Sequence, residues 1–220
     1  MNWLTSVRKL ISPFVPDFVK RLAQLPADMA KVRQFREWEH KGYGYPVAPP
    51  HLIKQNVIKE LQSRYHFNTF IETGTYLGDM VYAVKDDFKT IISIELSKEL
   101  YHAAIERFSG FGHINLIHGD SAVELIKVLD NIHHSILFWL DGHYCSAISA
   151  KGDKLCPIFE ELDAILVKVK RPHIILIDDA RLFVGKNDYP TIDELKSYML
   201  SKNSAYLFSV ENDIIKFSLI

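Results

Sequence analysis

The residues of this chain best suited to chemistry stand at the exits of short apolar runs. The first such run, Phe70-Ile71-Glu72-Thr73-Gly74-Thr75-Tyr76-Leu77-Gly78, ends in a carboxylate and passes through two glycines into the next polar stretch. Glycine has no Cβ, so a ligand can approach the backbone closely at such a turn. A turn that binds phosphate uses bare N–H groups at a helix N-terminus. Glu72 at its head would repel a pyrophosphate and suits a cationic ligand instead. Two further acids follow later apolar runs: Glu95 in Ile94-Glu95-Leu96-Ser97, and Asp120 in Gly119-Asp120-Ser121. Glu95 lies 21 positions after Gly74, close to the spacing at which an acid after a second strand reaches ribose hydroxyls. It could equally be a helix N-terminal acid before Ser97. Asp120 could cap the following helix, accept from a ligand donor, or do both through different oxygens.

A second constellation is richer in charge. Leu137-Phe138-Trp139-Leu140 runs into Asp141-Gly142-His143-Tyr144, and Ile174-Ile175-Leu176-Ile177 runs into Asp178-Asp179-Ala180-Arg181. If these runs are neighbouring strands, three carboxylates and an imidazole converge beside the cleft. Like charges gathered this way are costly unless a cation or base neutralises them. Carboxylate oxygens favour a hard divalent ion, and magnesium would keep waters or substrate hydroxyls as its remaining ligands. Such an ion would lower the pKa of a bound hydroxyl. Asp178 and Asp179 could instead bind Arg181. His143, with an ordinary pKa near neutrality, suits a general base or a structural hydrogen bond. Tyr144 could line an acceptor site or simply pack.

The elements needed to position these residues are legible as an alternation. A helix is expected from about His51 to Tyr65, with Ile53, Val57 and Leu61 on one face. Phe70-Ile71 is a strand leading to a helix near Gly78. Strands Thr90–Ile94, Ile114–Ile117, Ser135–Leu140 and His173–Ile177 follow. They alternate with helices Ser97–Phe108, Ser121–Leu129, Pro157–Val169 and Thr191–Leu200, the last opened by the capping box Thr191/Glu194. Such alternation argues for a parallel sheet with helices on both faces. The runs Ala205–Val210 and Asp213–Leu219, separated by Glu211-Asn212, are expected to form a hairpin. The fold class is therefore α/β: a Rossmann-like parallel sheet closed by a C-terminal antiparallel hairpin, seven strands in all. Residues 1–50 form an N-terminal helical extension and a Gly/Pro-punctuated linker, and 51–220 the main domain.

Glu72-x-Gly74-x-x-x-Gly78, Glu95, Gly119-Asp120-Ser121 and Asp141, in that order on successive strands, resemble the motifs of class I S-adenosylmethionine-dependent methyltransferases over residues 68–220. The resemblance implies that Glu72, Gly74, Thr75, Tyr76, Gly78, Glu95, Asp120, Ser121 and Asp141 bind S-adenosylmethionine. The acids after strands four and five resemble those of the metal-dependent macrocin-type O-methyltransferases. This implies Mg²⁺ or a similar cation on Asp141, Asp178 and Asp179, with His143 and Asp141 as catalytic groups. It also implies a small-molecule acceptor with a sugar or polyol hydroxyl. The chain departs from that family at Ile94-Glu95-Leu96-Ser97, so acceptor specificity does not carry over. Two other readings are a nicotinamide-dependent oxidoreductase on the same sheet, which Glu72 and Tyr76 (where a middle glycine would stand) disfavour, and a non-catalytic protein that retains the cleft.

Composition sets the remaining bounds. The 220 residues carry a formal net charge of −1, which offers no electrostatic case for nucleic acid. Two cysteines, Cys145 and Cys156, are too few for a disulfide framework; a bridge or two free thiols are the options, and a reducing, cytoplasmic setting is expected. No run is long enough for a membrane span. Arg8, Lys9, Asp17, Lys20 and Arg21 interrupt the N-terminal apolar spacing, which argues against a signal peptide. Those helices could cover the core or pair two copies into a homo-oligomer. The loop Cys145–Leu155 could serve as a lid or acceptor contact.

Overall fold

A computed structural model describes residues 48–142 and 156–220. The expected helices within residues 1–40, most of the linker, His143, Tyr144 and the expected lid loop Cys145–Leu155 lie outside the described residues.

The described chain alternates helix and strand: α1 (His51–Tyr65), β1 (Thr69–Thr73), α2 (Asp79–Val84), β2 (Thr90–Glu95), α3 (Lys98–Phe108), β3 (Ile114–His118), α4 (Ser121–Leu129), β4 (Ile136–Leu140), α5 (Ile158–Lys168), β5 (His173–Ile177), a 3₁₀ turn (Ala180–Leu182), α6 (Ile192–Lys202), β6 (Leu207–Glu211) and β7 (Ile214–Leu219). One seven-stranded sheet results, in the order β3-β2-β1-β4-β5-β7-β6. β1 to β5 are parallel; β7 runs antiparallel to both β5 and β6.

The central strands β1, β4 and β5 are buried along their whole length. Their near-continuous apolar sequences follow from being covered on both faces. Alternate residues serve the two layers, as the pleat requires. Ile71, Phe138 and Ile175 pack on Leu125 and Leu129 of α4, Leu162 and Ile165 of α5, and Leu195 and Met199 of α6. Phe70, Leu137, Trp139, Ile174 and Leu176 face Ile58 of α1, Val81 and Val84 of α2, and Ala104 and Phe108 of α3. Polar caps fix the helix starts: Ser97 accepts from Leu100 N–H, Asp120 from Ala122 N–H, and Thr191 and Glu194 form the expected capping box.

The α1 face differs from its expected stripe. Lys54 and Ile58 are the buried positions, while Val57 and Leu61 pack at the core's margin. The closing turn also falls one residue later than expected, at Asn212-Asp213. Both residues have positive φ (54° and 62°), the backbone of a tight two-residue hairpin. Cys156 is a buried free thiol whose pKa is pushed up to about 12, chiefly by burial. No helix among the described residues is long and apolar enough to cross a membrane.

The strand order creates the functional geography. After β1 the chain winds outward through β2 and β3, then returns to place β4 on the other side of β1. Crevices open at such reversals, outside the carboxyl ends of the strands. The β1 exit (Glu72 to Gly78) and the β4 exit (Asp141, Gly142) therefore flank the natural ligand cleft.

Candidate active site

The turn after β1 is built from backbone in unusual conformations. Gly74, Tyr76 and Gly78 all have positive φ, at 83°, 49° and 77°. Tyr76 stands where a third glycine would be and adopts the left-handed conformation itself, a strained choice typical of ligand-binding turns. The turn is held from below: Gly74 N–H and Thr75 N–H donate to the Ile94 carbonyl. Gly74 also touches the other side of the cleft. A Cβ at this position would overlap the Asp141 carbonyl oxygen and lie 2.8 Å from its carbonyl carbon.

Glu72 lies beneath the turn and is only 2% exposed. A relay of hydroxyls reaches it: Thr75 bonds Ser93 at 2.6 Å, and Ser93 donates to Glu72 Oε2 at 2.5 Å. No lysine, arginine or histidine among the described residues bonds to it. Burial therefore raises its pKa to about 8; the Ser93 bond opposes the rise and the Glu95 charge adds to it.

Glu95 ends β2 and ties two turns together. One oxygen accepts from Tyr76 N–H and the other from Ser97 N–H, both at 2.8 Å. The helix-start role is thus present, and each oxygen retains a second lone pair for a hydroxyl donor. Asp120 similarly spends Oδ1 on the Ala122 N–H at 2.9 Å. The Ser121 hydroxyl donates to Glu161 Oε1 at 2.5 Å. Glu161, on the first turn of α5, is fully buried beside Gly142, and its Oε2 has no hydrogen-bond partner among the described residues. Burial pushes its pKa up to about 7, against the pull of the Ser121 and Thr73 hydroxyls beside it.

The β4 and β5 exits do converge, as parallel neighbours in register from Ile136/His173 to Leu140/Ile177. Burial and the Asp178 and Asp179 charges raise the Asp141 pKa well above its ordinary value, with Lys54 opposing them. The expectation for the two aspartates of β5 changes. Lys54, from α1, places its Nζ 2.6 Å from Asp178 Oδ1, 2.7 Å from Oδ2 and 3.0 Å from Asp179 Oδ1. Arg181 bonds Asp179 at 2.8 Å and also Asp213, from the closing hairpin. Asp213 further accepts from the Arg181 N–H through Oδ1. Burial alone would raise Asp179, but Lys54 and Arg181 hold it below the usual range; burial raises Asp178, which Lys54 only partly offsets. Asp179 itself has positive φ (56°), bent back so that its N–H meets Asp178 Oδ1 at 2.7 Å.

These residues do not fit the Mg²⁺ expected on Asp141, Asp178 and Asp179. Carboxylate oxygens of Asp178, Asp179 and Asp213 lie within 4.8 Å of one another, but Asp141 is not among them. An ammonium and a guanidinium already take that oxygen cluster. A divalent ion would have to expel the Lys54 ammonium from its buried position.

The structure thus brings Glu72, Gly74, Thr75, Tyr76, Gly78 and Glu95 together around one turn and sets Asp141 against it. Asp178 and Asp179 join the group but are partnered by side chains. Sequence reading missed Lys54, Glu161 and Asp213. Lys54 carried one signal, its place four residues before the buried Ile58 on a helical face; the other two carried none.

No family model matches the chain, and no curated protein matches it. Solved structures do. The O-methyltransferase TomG from Streptomyces achromogenes, in complex with SAM, aligns with a TM-score of 0.55 and 15% identity over 87% of this chain and 89% of that one. The SAH-bound methyltransferase PaMTH1 from Podospora anserina gives 0.55 and 16% over 92% and 97%. The N-methyltransferase NodS from Bradyrhizobium japonicum gives 0.52 and 11% over 76% and 95%. The fold of this chain is that of the class I S-adenosylmethionine-dependent methyltransferases.

Proposed function

We propose that this chain is an S-adenosylmethionine-dependent O-methyltransferase acting on a hydroxyl of a small molecule, a sugar or similar polyol. One observation carries the cofactor assignment. Glu72 is buried at the head of the ligand turn, and no basic side chain among the described residues bonds to it. Among the described residues, Lys54 and Arg181 are spent on Asp178, Asp179 and Asp213. A ligand bearing positive charge completes such a site, because it favours the ionised form of Glu72 that burial otherwise disfavours. Glu95 and Asp120 are suited to the ribose and adenine through their remaining lone pairs.

The methyl passes in line from the sulfonium sulfur to the acceptor oxygen; the S–C bond breaks as the C–O bond forms, and S-adenosylhomocysteine leaves. The acceptor's proton goes to a base. His143 is assigned that role, with Asp141 as the second catalytic group. Asp141, whose pKa burial and the neighbouring aspartates raise, would be held more readily in its ionised form beside a bound cationic methyl donor. O-methylation receives support from the likeness to the O-methyltransferase TomG. The test incubates the protein with methyl-labelled S-adenosylmethionine and a panel of glycosides, polyols, catechols and amines. Label in a sugar hydroxyl, lost in both His143→Ala and Asp141→Asn, is the expected result. Label only in amines contradicts it.

A further inference from the structure

We propose that Lys54 is the resident cation of this cluster: its ammonium takes the place of a divalent ion on Asp178 and Asp179. Three observations support this. Lys54 is 7% exposed, so its charge has been withdrawn from water, an arrangement tolerated only when the charge is paired. Its Nζ reaches both oxygens of Asp178 and one of Asp179 within 3.0 Å, three contacts for an ammonium that has three protons to give. Arg181 then closes the far side by bonding Asp179 and Asp213, so the cluster holds two fixed cations.

The difference from a metal is chemical. A lysine ammonium carries one unit of charge and no open coordination position. It can neutralise the aspartates and hold them in place, but it cannot ligate an acceptor hydroxyl and acidify it. On the methyl-transfer reading, proton removal then falls wholly to side-chain bases, and Lys54 is a positioning residue. That mechanistic half rests on the proposed function; the claim that the cluster takes no metal does not.

Mn²⁺ is the probe, followed by electron paramagnetic resonance and calorimetry on the full chain, with Lys54→Ala and the stem-preserving Lys54→Met. The wild type is expected to bind no Mn²⁺ below millimolar concentration. Each variant that folds, as judged by circular dichroism, should bind it at least tenfold more tightly and show an Mn²⁺-dependent rise in Tm that the wild type lacks. Stoichiometric micromolar binding to the wild type, or variants that bind no more tightly than it does, overturns the proposal. Should both variants fail to fold, the wild-type titration alone decides by the same criterion. S-Adenosylhomocysteine titrated in parallel separates the two claims: silence there removes the methyl-transfer reading and leaves the cation assignment standing.

Discussion

Glutamine in place of Glu72 should make the ligand-free protein more stable at high pH and weaken S-adenosylhomocysteine binding by about 30- to 100-fold, the effect of a lost charge pair of ~2–3 kcal/mol. The stability half follows from linkage. The folded-state pKa of Glu72 is raised from 4.5 to about 8 by burial. A carboxyl that holds its proton more tightly when folded contributes fully below pH 4.5 and loses that contribution as pH rises through about 8. The whole shift corresponds to ~5 kcal/mol. An amide keeps part of it as its own desolvation cost, leaving a gain of ~2–3 kcal/mol for the variant at pH 9 and little at pH 5. Denaturant unfolding at the two pH values measures this. Ligand binding carries the opposite sign. A cationic group arriving beside Glu72 expels its proton, so wild-type affinity should rise with pH up to about 8, and the variant should lose that slope. Glu95 and Asp141 are the other acids that act on this group or feel it. Equal affinity of variant and wild type at every pH would remove Glu72 from the binding account.

The second large effect is expected at Gly74. Its φ of 83° is one that side-chain-bearing residues adopt at a cost of roughly 1–2 kcal/mol. An alanine Cβ would also drive into the Asp141 carbonyl, and overpacking against backbone adds ~1–3 kcal/mol. Gly74→Ala should therefore lose ~3 kcal/mol. At 2–4 °C per kcal/mol for a domain of this size, that is a Tm drop of roughly 6–12 °C. Because the clash is with the β4 exit, the cleft should be wedged and ligand binding lost even where the variant remains folded. Gly110→Ala is the control, since a Cβ there meets nothing within 4 Å. Thermal melts and titrations on both variants read the outcome; a Gly74→Ala protein that binds normally would show that the turn does not approach the ligand.

Much of the fold was legible because its signals are local. Buried parallel strands wrote themselves as Ile136–Leu140 and His173–Ile177, and Thr191/Glu194 marked a helix start that the structure confirms. The β1 turn was legible for the same reason, since Glu72, Gly74 and Gly78 lie within seven residues. What escaped depends on long-range placement. Lys54 meets Asp178 across 124 positions of chain and Ser121 meets Glu161 across 40. Asp213 meets Arg181 only because the closing hairpin folds back beside β5. The convergence of acids after β4 and β5 could be read from sequence; which cation answers them could not, because that cation comes from a helix before the sheet begins. A hydroxyl such as Ser121 likewise reveals its partner only when α4 and α5 are seen side by side.

The central claim is that the cleft between the β1 and β4 exits takes the methyl donor. Calorimetric titration of the full chain with S-adenosylhomocysteine and, separately, with NAD⁺ tests it most directly. One-to-one binding of S-adenosylhomocysteine in the micromolar range, abolished by Gly74→Ala, with NAD⁺ silent, is the predicted result; binding of NAD⁺ with S-adenosylhomocysteine silent would contradict it.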